Sequence, residues 1–218
     1  MKPVMNLFRI AIHSEDKDTF LGVLSHLAKL TKEVEPGFLS LFAFRSPDQE
    51  DVYLILEVFA SNQAYLSYLN SATYKAYQEV TQPLIREQAY IRLEGLVLLE
   101  KLSDRLPETS SGLRLSLFQE ERPNPEALDR IQRLAQDYVL KQMGLHAFYL
   151  AYDQQSPKDW YQVEIFSDRQ EENLLGDEAG FDHTQVTLRW DPKDLIDFPL
   201  GVDVVSTRGA ELVDLLVL

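Results

Sequence analysis

Four tyrosines, Tyr65, Tyr68, Tyr74 and Tyr77, crowd one short stretch, and Phe38, Phe42 and Phe44 stand just upstream. Rings with polar tips suit a flat aromatic ligand in an apolar cavity. The competing reading is a packed core with hydroxyls at its edge. Two acids, Glu57 and Glu164, end apolar runs, each four residues after an aromatic, Tyr53 and Trp160. Strand alternation puts acid and ring on one face. Glu57 then reads as a base or ligand orienter, or as a structural acid paired with Arg9, Arg45 or a backbone amide. A residue that recurs serves the fold before it serves a site. An unperturbed phenol, near pKa ~10, is a poor base at neutral pH.

Other chemistries find few residues. The histidines are His13, His26, His146 and His183, with no pair at metal-ligand spacing, so no structural metal is expected. The absence of cysteine excludes disulfides, thiolate catalysis and cysteine-held metals. No Gly-rich phosphate loop or Gly-x-Ser-x-Gly elbow occurs. The formal charge of −14 argues against nucleic acid or an anionic membrane as partner. No signal core or bilayer-length apolar run is seen, which leads to the expectation of a cytoplasmic protein.

The elements that must place these residues alternate in period. Leu7 to Ile12 reads as a strand, and a helix capped by Ser14 or Asp16 follows, with Phe20, Val23, Leu24, Leu27, Leu30 and Thr31 as its stripe. Pro36-Gly37 marks a turn, and a hairpin follows over 38–43 and 52–59. From Gln63 the spacing of Tyr65, Tyr68, Leu69, Ala72 and Ala76 predicts one helix, with a break near Pro83 and a strand over 91–99. The order β-α-β-β-α-β is ferredoxin-like: one antiparallel sheet with both helices on one face. Its other face is also apolar and needs a cover.

Residues 103–112 read as a linker, between a first domain over 1–102 and a second over 113–218. The second half repeats the plan with a strand over 113–119, a helix from Pro125 capped by Asn124, hairpin strands over 145–152 and 160–166, and closing strands over 202–205 and 212–218. Glu57 and Glu164, like Phe59 and Phe166, differ by 107 (164 − 57 and 166 − 59). A register kept across a hairpin predicts an internal duplication, with the second copy degenerate.

The pieces Glu35-Pro36-Gly37, Glu57-Val58-Phe59, Ala64-Tyr65 and Ser71-Ala72-Thr73-Tyr74-Lys75-Ala76-Tyr77 occur in an order that resembles the antibiotic biosynthesis monooxygenase domain, over about residues 6–102. That family forms dimeric α+β barrels, sheet packed on sheet. The resemblance implies an α+β fold in which the two halves make one barrel-like pseudo-dimer, with self-association of first halves as the alternative. It implies cofactor-independent oxygenation of a small aromatic or quinol-like molecule, with dioxygen as co-substrate and no other cofactor. Tyr68 and Asn6 would then be catalytic, and Tyr65, Tyr74, Phe42 and Glu57 would bind substrate. Family members often carry histidine where this chain has Tyr68 and Thr73. The alternative is a non-catalytic member that binds a small hydrophobic ligand or acts as a structural subunit. Haem-degrading relatives carry an asparagine that Asn6 matches, but their histidine ligand falls at Gln78, which does not suit iron.

Overall fold

The computed structural model describes residues 3–45, 49–100, 111–119, 125–141, 145–166, 196–198, 205–206 and 213–214. The first strand, β1 (Val4–Ile12), leads through a 3-10 turn into helix α1 (Lys17–Val34). Phe20, Leu24, Leu27, Ala28 and Thr31 are its buried stripe, at the spacing that lines one helical face. Hairpin strands β2 (Phe38–Arg45) and β3 (Val52–Phe59) follow.

The stretch after β3 is two helices, where the sequence predicts one. These are α2 (Asn62–Asn70) and α3 (Ala72–Thr81), and Ser71 between them is extended, at φ −68° and ψ 152°. Serine caps explain the break. The Ser61 hydroxyl accepts from the Ala64 amide at 3.1 Å, and the Ser71 hydroxyl accepts from the Tyr74 amide at 3.1 Å. Each supplies a partner that a helix N-terminus lacks. After a 3-10 turn holding Pro83 comes β4 (Ile85–Glu100), which starts six residues before the expected Ile91. Its first part, from Arg86 to Tyr90, is exposed on both faces and carries no apolar alternation, so only its pairing with β1 reveals it.

The second half has β5 (Ser111–Gln119), α4 (Pro125–Lys141), β6 (Leu145–Asp153) and β7 (Asp159–Phe166). Short strands β8 (Ile196–Phe198), β9 (Val205–Ser206) and β10 (Val213–Asp214) complete the described residues. Of the expected linker, only Ser111 and Gly112 are described, and they open β5. The expected Asn124 cap lies outside the described residues. Of the expected closing strands, Val205 falls in β9 and Val213–Asp214 in β10, but these pair with β2 and β4 of the first half. The strand beside β5 is β8 instead.

All ten strands belong to one sheet, in the order β8-β5-β7-β6-β4-β1-β3-β2-β9, with β10 against β4. Within it β4-β1-β3-β2 is the ferredoxin-like order, and β8-β5-β7-β6 repeats it. The two runs join where β4 pairs with β6. At the far ends β2 approaches β8, so the sheet curls round on itself. The enclosed core is shared: Met5, Leu7, Leu54, Leu56 and Val58 meet Tyr149, Tyr161, Val163 and Ile165. The apolar face that the sequence left uncovered is therefore covered by the other half of the chain. Outside, α1 to α3 pack on the first half's strands, and α4 packs across the join, on the end of β4 and on β6.

Candidate active site

Directly opposed residues in antiparallel strands share a face. Across β4, β1 and β3 the register sets Arg92, Asn6 and Glu57 in one row, with Tyr90, Phe8 and Ile55 in a second. Both rows face the helices. Phe59, Tyr65 and Tyr68 pack beside them, with ring centroids 5.2 Å apart for Phe59 and Tyr65 and 5.1 Å for Phe59 and Tyr68. The seat of α2 is close: a Cβ on Gly37 would lie 2.3 Å from the Ala64 Cβ, so the turn accepts only glycine without movement.

Beyond this packed region the helical layer stands off the sheet. A cavity of about 480 Å³ lies between α3 and the strands. Its walls include Phe8, Ile10 and Ile55 from the sheet and Tyr74 and Tyr77 from α3, and Glu57 is its acid on the sheet side. Gln78, Gln82, Gln88, Lys75 and Glu79 supply polar lining. Only Thr81 of α3 is buried, whereas α2 buries Tyr65 and Tyr68.

Glu57 is 6% exposed. Burial pushes its carboxyl up to about 7, because a charge loses its hydration there. The Asn6 amide and Tyr68 hydroxyl lie close enough to offset part of that rise. Neither reaches a well-formed hydrogen bond: both polar atoms of Asn6 and the Tyr68 hydroxyl are buried without a partner. Burial, and then the Glu57 charge, holds the phenols of Tyr65 and Tyr68 above their ordinary value. The same two causes push Tyr74 up to about 12 and Tyr77 higher still. None of these phenols is a base at neutral pH; the carboxyl is the group poised there.

The predicted site residues separate. Glu57 and Tyr74 reach the cavity. Asn6 and Tyr68 sit behind Glu57 and touch it rather than the space in front of it. Tyr65 is turned to Arg92, whose guanidinium stands 5.0 Å from the ring centre. Phe42 lies on the other face of the sheet, in the shared core, with its ring 6.3 Å from Tyr149. Of the residues expected to act on or bind substrate, Asn6, Tyr65, Tyr68 and Phe42 are thus not among those lining this cavity. Strand alternation around the irregularity between Phe38 and Ser40 sends Phe42 inward. The expected partner Arg9 bridges Glu87 at 3.5 Å instead, and the Arg45 side chain lies outside the described residues.

Sequence reasoning missed Arg92. Its Nε is buried without a partner, while its NH2 group meets Asn62. Finding it needs the register of β4 against β1, and the part of β4 that fixes that register carries no apolar pattern. Tyr77 was visible in the sequence but indistinguishable there from a packing residue. Among the described residues no group of three or more histidine, aspartate or glutamate side chains is placed to hold a metal ion, and no helix is long and apolar enough to cross a membrane.

The site is thus a buried carboxyl with a raised pKa on a ferredoxin-like α+β sheet, facing a ring-walled cavity under a helix. Residues 3–80 match the model of the antibiotic biosynthesis monooxygenase family. Among solved structures, a Lactobacillus acidophilus protein provisionally called a monooxygenase superposes with a TM-score of 0.69 at 15% identity, over 98% of this chain and 100% of that one. A Fusobacterium nucleatum protein similarly named gives 0.65 at 14% identity, over 77% of this chain and 76% of that one. These likenesses establish the fold, across both halves in the first case. No curated protein gives a significant match.

Proposed function

We propose that the chain is a monooxygenase that uses dioxygen without a resident cofactor, acts on a small electron-rich hydroxyarene such as an anthrone or quinol, and uses Glu57 as its base. One observation carries the reading: a carboxyl pushed up to about 7 faces a ring-walled cavity of about 480 Å³. A base is most effective when its pKa lies near the working pH.

The chemistry follows from the groups present. With an anthrone, the Glu57 carboxylate takes a proton from the activated ring methylene; a quinol has no such carbon and serves only as an electron-rich comparison. The carbanion passes one electron to dioxygen, and the radical pair joins as a carbon-bound peroxide, which takes the proton back from Glu57. A second deprotonation at the same carbon breaks the O–O bond and leaves a carbonyl. The departing hydroxide collects that proton and leaves as water. Phe8, Ile10, Ile55, Tyr74 and Tyr77 hold the ring and exclude solvent. Asn6 and Tyr68 are positioning residues that act through the carboxyl.

Oxygen uptake with a panel of anthrones and hydroquinones tests this. The wild-type protein consumes oxygen with at least one, and Glu57→Gln loses that activity while still binding the compound. Uptake unaffected by Glu57→Gln overturns the role of the carboxyl. Saturable binding with no uptake by the wild-type protein supports the second reading, a non-catalytic binder. What favours that reading is Tyr68, which stands where family members often carry histidine and which burial holds well above the ordinary phenol value.

A further inference from the structure

The tyrosines around Glu57 form a contiguous path that the base chemistry does not use. Tyr68 is fully buried, with its hydroxyl beside the carboxyl and without another partner. Its ring centre lies 4.7 Å from that of Tyr74, and Tyr74 lies 6.3 Å from Tyr77. Tyr74 and Tyr77 are partly exposed and line the cavity, and the Tyr74 hydroxyl accepts from Gln78 Nε2 at 3.2 Å in a solvent-exposed bond. Tyr65 also touches the cluster, but the guanidinium over its ring disfavours an electron-deficient state there.

We propose that Tyr68, Tyr74 and Tyr77 form a one-electron relay that carries an oxidising equivalent from the buried Tyr68, beside the Glu57 carboxyl, to the protein surface. Packing alone accounts for aromatic contact. It does not account for a buried phenol hydroxyl that lies close to a carboxylate and has no other partner; once that gap closes to a hydrogen bond, the phenol can lose an electron and a proton together. Oxidation of Tyr68 sends its electron to the oxidant and its proton to the Glu57 carboxylate, leaving a neutral tyrosyl radical. An electron from Tyr74 then refills Tyr68, which recovers its proton from Glu57, while the Tyr74 proton leaves to water at the cavity mouth. Tyr77 repeats the step, and a soluble thiol gives the final electron. The oxidant in turnover is a one-electron species, superoxide or a substrate radical, formed when the radical pair separates before it joins. In that respect the inference rests on the proposed oxygen chemistry, but the path itself does not.

The test therefore supplies its own oxidant. Flash-quench oxidation with a ruthenium(III) tris-bipyridine complex, at neutral pH and without substrate, should give a long-lived tyrosyl radical by electron paramagnetic resonance. The yield should rise as the carboxyl ionises. Tyr74→Phe should lower that yield by an order of magnitude, and Glu57→Gln should abolish the pH dependence. Tyr74→Phe changes a partly exposed ring by one oxygen, so folding is not at issue. No long-lived radical in the wild-type protein overturns the relay, as does a yield that Tyr74→Phe leaves unchanged. Neither result bears on oxygen uptake with anthrones, so the relay and the monooxygenase reading fail separately.

Discussion

Glu57 concentrates the consequences of the fold in one side chain. Its carboxyl is raised from the usual 4.5 to about 7, so the folded protein binds more protons than the unfolded chain between those values. Folding is then favoured below the lower value, and the advantage is lost as pH rises through the upper one. At ~1.4 kcal/mol per pKa unit, the loss amounts to about 3 kcal/mol. Urea unfolding of wild type and Glu57→Gln at pH values either side of this window checks it: the variant gains on the wild type by about that amount as pH rises. A flat difference shows the carboxyl to be unperturbed. The proposed activity runs the other way, because a carboxyl acting as base must be ionised: kcat/KM should climb with pH through about 7 and level off above it. The sequence names Glu57 and the tyrosines but does not distinguish those that line a cavity from those behind it. That distinction depends on burial and on the stand-off of α3, neither of which has a local pattern.

At the scale of elements, the site depends on how two short helices are seated. α2 is seated by Gly37, where a Cβ would meet the Ala64 Cβ at 2.3 Å. Gly37→Ala should destabilise the protein by ~1–3 kcal/mol, the usual cost of forcing atoms into a packed contact. Ala64→Gly should recover part of that loss in the double variant, although it weakens the helix by ~1 kcal/mol on its own. Additive effects in a thermal or urea cycle refute the contact. α3 depends on its cap more than on burial, since only Thr81 of it is buried. Ser71→Ala removes the hydroxyl that accepts from the Tyr74 amide and should cost ~1 kcal/mol. That loss should appear first as faster amide exchange in α3, with α2 unchanged. The Pro36-Gly37 turn, the hairpin and the amphipathic α1 are legible because their periods are clean. The division at Ser71 is not, because Tyr65, Tyr68, Ala72 and Ala76 keep helical spacing across it and the cap competes with that spacing at a single residue.

For the whole molecule, the two halves complete each other. The hairpins agree in more than their acids: the register slips between Phe38 and Ser40 in the first and between Leu145 and Ala147 in the second, 107 residues on in each case (145 − 38 and 147 − 40). We take this shared irregularity as support for the proposed duplication, since a bulge is a specific feature of a strand pair. The offset was legible in the sequence; the edge that joins the halves was not, because β4 meets β6 through backbone groups that any sequence supplies. The join has a testable consequence. Met5, Leu7, Leu54, Leu56 and Val58 are buried against the second half's Tyr149, Tyr161 and Val163. At ~2 kcal/mol for each large apolar side chain, leaving those five exposed costs about 10 kcal/mol, as much as a typical domain's whole stability. The full chain should therefore run in light scattering as a monomer of 25.1 kDa. A fragment of residues 1–102 should pair with a second copy through the same face or aggregate, as an uncovered sheet of this kind must. A stable monomeric fragment, or a full chain that dimerises with its first half freed from its second, shows that the shared core is not what holds the halves together.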